Sequence, residues 1–183
     1  MRARLLPSAL LLGVLLLAGC VPQQVDDPIE PAPSATPMFE SEDEALAAAV
    51  AAYEAYLKVS DEIAADGGAN PERLQEVASP ALVEQEVAGF EEFAASGFRA
   101  IGETVVLNPV LQQWEANPLE GQESIWMYVC SDVSGVDVVD ADGVSVVSPE
   151  RPPRSSLQVG LTLDAGRLLV SSKDVWTSDD ICG

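Results

Sequence analysis

Three cysteines, thirty carboxylates and no histidine define the chemistry open to this 183-residue chain. Without an imidazole there is no Ser-His or Cys-His nucleophile pair, no histidine general base and no His-ligated metal. The carboxylates recur as close pairs at Glu84 and Glu86, Glu91 and Glu92, and Asp179 and Asp180. A general base tuned towards neutral pH must be desolvated. These pairs fall on expected helix faces or in a terminal segment, so solvated surface is the preferred reading. Asp140-Ala141-Asp142-Gly143 invites a calcium loop. Aligning it on the acidic positions and glycine of an EF-hand leaves Val138 and Pro149 where the first and last ligands belong. Asp and Gly are what a tight hairpin turn selects in any case. No catalytic residue, metal or cofactor is therefore assigned. A formal net charge of -21 repels phosphate backbones and excludes nucleic acid as a partner.

The first cysteine has a distinctive context. Met1-Arg2-Ala3-Arg4 precedes an apolar run from Leu5 to Leu17. A positive start followed by roughly 13 to 15 apolar residues is too short for a membrane span of about 20 and reads as a signal peptide. Leu17-Ala18-Gly19-Cys20 then resembles the lipobox of bacterial lipoproteins. That resemblance implies cleavage before Cys20 and acylation of its sulfur, with palmitate as the expected chain. The protein is then expected on the extracytoplasmic face of the cell membrane, held there by lipid, because so acidic a chain gains nothing from an anionic surface. Two cysteines remain, Cys130 and Cys182. An even pair in an exported chain reads as a disulfide. The alternative is one buried thiol and one loose one.

Around these residues the chain divides into three parts: a signal peptide over 1–19, a tether over 20–40 and one domain over 41–183. The tether carries Pro22, Pro28, Pro31, Pro33 and Pro37 with few large apolar side chains, so it is expected to stay disordered and extended. At about 3.1 Å per residue it reaches roughly 60 Å when stretched. Ser41 and Glu44 match a helical capping box. Leu46, Val50, Tyr53, Leu57 and Ile63 then share one helical face, ended by Gly67-Gly68. Asn70-Pro71 starts a short second helix with Leu74, Val77 and Ala78 on one side. Ser79-Pro80 starts a third, with Val83, Val87, Phe90 and Phe93. It stops at Gly97, where Phe98 is placed to pack back on Phe93 in a Schellman cap.

Beyond Gly97 the period changes to two. Strands are expected near 99–107 and 110–115, separated at Asn108-Pro109. Ile125 to Cys130 is apolar on both faces and marks a central strand. Val136–Val139 and Val144–Val147 read as a hairpin, and Ser156–Leu163 with Leu168–Trp176 as the last pair. Trp114, Trp126 and Tyr128, with Trp176, all fall in strands. They are the candidate lining of a pocket for a small apolar ligand. Filling the core is their commoner fate.

Helices followed by a curved antiparallel sheet give an α+β class. That order resembles the cone of the nuclear transport factor 2-like (NTF2-like, cystatin-like) superfamily. Tyr128–Ser134, Val138–Gly143, Arg151-Pro152-Pro153-Arg154 and Trp176–Cys182 further resemble a group of secreted proteins from actinobacteria. This likeness implies a high-GC Gram-positive origin and an extracytoplasmic domain, and it supplies no activity. Some enzymes of the superfamily set an Asp or His with a Tyr inside the cone, which makes Asp132, beside the central strand, the acid to examine. The favoured function is a surface-anchored lipoprotein whose domain binds a small ligand or an envelope partner without catalysis. The alternative is a secreted isomerase or dehydratase using a pocket carboxylate.

Overall fold

The computed structural model describes residues 37–183. The signal peptide, the lipobox with Cys20 and the tether up to residue 36 lie outside the described residues. The described chain runs α1 (Glu42–Ala65), a 3-10 helix (Pro71–Glu76), α2 (Pro80–Ala95), β1 (Arg99–Ile101), β2 (Val105–Trp114), β3 (Glu123–Asp132), β4 (Asp137–Val139), β5 (Arg154–Asp164) and β6 (Arg167–Val175). This is an α+β fold. Strands β2, β3, β5 and β6 form an antiparallel sheet in the spatial order β2-β3-β5-β6, and β1 pairs with β4 in a separate ribbon.

Local signals explain the helix boundaries. Ser41 caps α1 by accepting from the Glu44 N–H at 3.2 Å, a contact worth about 1 kcal/mol. The Glu44 carboxylate reaches back one residue further than a capping box requires and accepts from the Glu40 N–H at 2.7 Å. Gly97 ends α2 with a φ of 69°, a left-handed conformation that costs glycine little. The Phe98 N–H then donates to the Phe93 carbonyl, and the two rings meet edge to face at 5.8 Å, completing the expected Schellman cap. The second helix forms as a 3-10 turn with Leu74 and Ala78 buried.

The core lies between α1 and one face of the sheet. Ile125, Met127 and Val129 of β3 and Val159 and Leu161 of β5 are fully buried there, each worth roughly 1.5–3 kcal/mol. The helix meets them through Ala45, Ala49, Tyr53, Tyr56 and Ile63. Leu46, Val50 and Leu57 are only partly buried at its flank. The buried stripe is thus rotated from the one expected, because small alanines let the helix backbone approach the sheet. The packed unit also takes in Phe39, ahead of the helix cap, edge to face with Trp114 at 6.2 Å.

Two strand expectations are corrected. Asn108-Pro109 does not divide two strands: β2 is an edge strand and absorbs both residues in a bulge, with Asn108 at a φ of 49°. Val144–Val147 does not form a strand of its own. It follows β4 through a Val139–Ser145 bridge and a Val146 N–H to Val138 carbonyl bond, while β4 pairs with β1. The far edge of the sheet is covered as well: the chain at Val77–Ser79 exchanges backbone hydrogen bonds with Val170 of β6.

Candidate functional site

Cys130 and Cys182 are joined in a disulfide, with their Cα atoms 4.9 Å apart. Cys130 lies on the outer face of β3, away from the helices, where it pairs with Leu107 and Ser156. The bridge draws the C-terminal segment across this face. Trp176 packs on Tyr128 with ring centres 4.6 Å apart and planes tilted by 38°, the Ile181 N–H donates to Ser156 Oγ at 2.9 Å, and Asn108 Nδ2 donates to the Ile181 carbonyl at 3.1 Å. The outer cover of the central strand is thus the chain's own terminus.

The three aromatic residues singled out in the sequence are not brought together. Trp114 pairs with Ile125 and packs on the helix side of the sheet with Phe39. Trp126 and Tyr128 point to the opposite face, since residues at even and odd positions of a strand alternate. Trp126 stays half-buried there, opposite Gly160. A Cβ on Gly160 would collide with Glu123 and Ser172, whose side chains are hydrogen-bonded to each other at 2.9 Å.

Asp132 ends β3 in an ion pair. Arg154 Nε donates to one carboxylate oxygen at 2.7 Å and the Ser134 N–H to the other at 2.8 Å. Hydrogen bonds from Ser134, through side chain and backbone, and from the Arg154 guanidinium hold this carboxyl at about 2, below its usual 3.8. A group so acidic is a poor proton acceptor near neutral pH. The turn aspartate Asp140 likewise serves the backbone, accepting from Asp142 at 3.0 Å and Val144 at 2.9 Å.

Glu86 departs from the solvated reading of its pair with Glu84. Its side chain is only 16% exposed and binds Lys173 Nζ at 3.0 Å. Lys173 lies 5.5 Å from the centre of the Tyr56 ring, which stacks on Tyr53. Desolvation pushes the Tyr53 phenol up to about 12 and, reinforced by Glu86, drives Tyr56 further in the same direction. The Tyr56 hydroxyl is buried without an adequately placed hydrogen-bond partner. This cluster joins α1, α2 and β6 and was not legible as such, because its members are 30 and 87 residues apart in the chain: Tyr56, Glu86 and Lys173.

A groove of about 450 Å³ lies between the second half of α1 and the chain from Gly102 to Val106. Gly102 (φ 96°) turns the chain out of β1 where its Cα passes the Gly135 carbonyl too closely for any side chain. Thr104 is then pinned to the helix: Asp61 accepts from its N–H at 2.8 Å and from its hydroxyl at 3.0 Å. Leu57, Val105 and Val106 supply apolar lining, and Glu54, Asp61, Glu62 and Glu103 supply carboxylates around one lysine, Lys58. Lys58 is engaged by Glu62 one helical turn on, which raises the lysine pKa and lowers that of the glutamate. The Glu54-Lys58-Glu62 spacing is that of one helix face, but the chain it meets lies some forty residues away, as the 43-residue Asp61–Thr104 separation shows.

This groove sits far from where the described chain begins. Phe39 and Trp114 mark that end. Along α1, residue 61 is about 28 Å from residue 42 at 1.5 Å per residue. Along β2, Val105 is about 30 Å from Trp114 at roughly 3.3 Å per residue. Both elements place the groove at the opposite end of the domain.

Among the described residues no helix is long and apolar enough to cross a membrane. No family model matches the chain, and no curated protein matches it in sequence. Solved structures do match in fold. One is the intermembrane space region of the chloroplast protein ARC6, 11% identical, with a TM-score of 0.52, covering 73% of this chain and 97% of that one. At such identity the likeness concerns the arrangement of helices and sheet alone.

Proposed function

We propose that this chain is a lipid-anchored, extracytoplasmic binding module of a bacterial envelope. The observation that carries the reading is the closed Cys130–Cys182 bridge. It suits an oxidising compartment, and it leaves Cys20 as the odd cysteine, in a lipobox-like context behind a signal-peptide-like leader. The actinobacterial resemblance agrees with that setting. The finer fold reading, an NTF2-like cone, is supported by the order of helices before strands and by register shifts in all three pairings of the main sheet, since bulges bend a sheet. The partner is a small ligand or an envelope protein, held without catalysis. Replacing Cys20 by Ala should abolish incorporation of labelled palmitate and move the chain from the membrane fraction to the medium or to an uncleaved precursor. Continued labelling of the Cys20→Ala chain would refute the anchor.

A second reading, a secreted isomerase or dehydratase, is favoured by one observation: Glu86 stands beside a buried tyrosine phenol, the acid-with-Tyr pairing of such enzymes. Lys173 already holds that carboxylate at 3.0 Å, so the binding reading is preferred. Turnover of a small carbonyl or hydroxy compound that vanishes in Glu86→Gln would reverse the preference.

A further inference from the structure

We propose that the groove between α1 and the start of β2 docks a basic, amphipathic segment of a partner protein, one apolar side chain seated against Leu57 and Val105 with Lys or Arg on either side. The inference rests on the binding-module reading and names the chemistry of its partner.

Charge complementarity carries it. Of the groove's carboxylates, Asp61 is occupied by Thr104 and Glu62 by Lys58. Among the described residues Glu54 and Glu103 make no salt bridge. Glu54 stands on α1 and Glu103 in the turn that leads into β2, so both elements that form the groove offer a carboxylate to a cation. The apolar component is present in the groove: Val105 is 51% exposed and lines it with Leu57 and Val106. Sites for small apolar molecules enclose most of the ligand, whereas this hollow is about half open to solvent.

The same charge excludes the other occupants. Two copies of a chain at -21 repel each other. Phosphates and anionic headgroups are repelled likewise.

The test uses the purified full chain in detergent and three synthetic twelve-residue probes: a Leu/Lys peptide, its Leu/Glu counterpart and a Ser/Lys peptide without apolar residues. Amide NMR shifts and fluorescence anisotropy report place and affinity. The Leu/Lys peptide should bind, shift residues 54–65 and 102–106, and weaken steeply between about 50 and 500 mM salt as screening increases. Glu54→Lys with Glu103→Lys should weaken it at least tenfold, and Val105→Ser several-fold, with circular dichroism unchanged. Glu54→Gln with Glu103→Gln gives the milder form of the same loss. Four results would each overturn the proposal: equal binding of the Ser/Lys peptide, equal binding of the Leu/Glu peptide, shifts spread over the whole acidic surface, or an equal loss from Glu91→Lys with Glu92→Lys on exposed α2. Concentration-dependent self-association mapped to the groove would replace the partner by a second copy and overturn it too. None of these outcomes depends on lipidation, so a failure here is distinct from failure of the anchor, which palmitate labelling decides.

Discussion

Replacing Cys182 by Ala opens the disulfide while leaving Cys130 as a small buried apolar residue, so the change isolates the cross-link. The bridge spans 52 residues. On the chain-entropy model, closing such a loop in the unfolded state is worth about 4 kcal/mol at 25 °C, an upper value because unfolded chains retain some structure. What remains to hold the segment is modest. The Trp176 N–H to Ser156 carbonyl bond at 2.8 Å, the Ile181 bond to Ser156 and the Asn108 bond to Ile181 contribute about 1 kcal/mol each. Ordering the backbone of residues 177–182 costs about 1–2 kcal/mol per residue. The segment should therefore lift from the outer face even while the rest of the domain stays folded. Urea denaturation should show a loss of roughly 2–4 kcal/mol, and the melting midpoint should fall by about 5–15 °C. Under native conditions the Cys130 thiol, fully buried beneath the segment, should become reactive to an alkylating agent. A loss under about 1 kcal/mol together with an unreactive Cys130 would refute the argument that the terminus is held by the bridge.

The pKa shifts give two further expectations. Because the Asp132 carboxyl is held at about 2 in the fold against 3.8 unfolded, the stability it supplies is present above the unfolded value and lost as pH falls through the folded one. The gap in urea midpoint between the native chain and Asp132→Asn should hold constant down to about pH 4 and close as pH 2 is approached; a gap unchanged at pH 2 would mean that the ionised carboxylate held by Ser134 and Arg154 is not its source. Tyr53 is displaced the other way, from 10 to about 12, by burial. Its contribution is complete below the unfolded value and is lost as pH rises through the folded one. In an alkaline titration the phenolate absorbance of Tyr53 and Tyr56 should appear only with loss of helical circular dichroism. Ionisation of both near pH 10 in a chain that keeps its helicity would contradict their burial.

Much of this protein follows from short-range patterns. Ser41 with Glu44, Asn70-Pro71, Ser79-Pro80 and Gly97-Phe98 each fix a helix end because capping depends on groups within a few residues of one another. Ile125 to Cys130, apolar on both faces, could only be an inner strand. Compartment and parity linked Cys130 to Cys182 without any geometry. Tertiary structure alone decided the rest. Pro109 stays within a strand because β2 lies at the sheet edge, where a missing N–H leaves no partner unsatisfied. Trp114 and Trp126 part company because the register sets them on opposite faces, and strand pairing is a long-range choice. Glu86 is drawn in by Lys173, and Asp61 by Thr104, across separations of 87 and 43 residues. A charged residue on a helix carries no mark in the sequence of the strand it will face. That partner is set by how the helix rolls on the sheet, and here the roll follows the alanines at 45 and 49, whose small side chains let the helix settle onto β3 and β5.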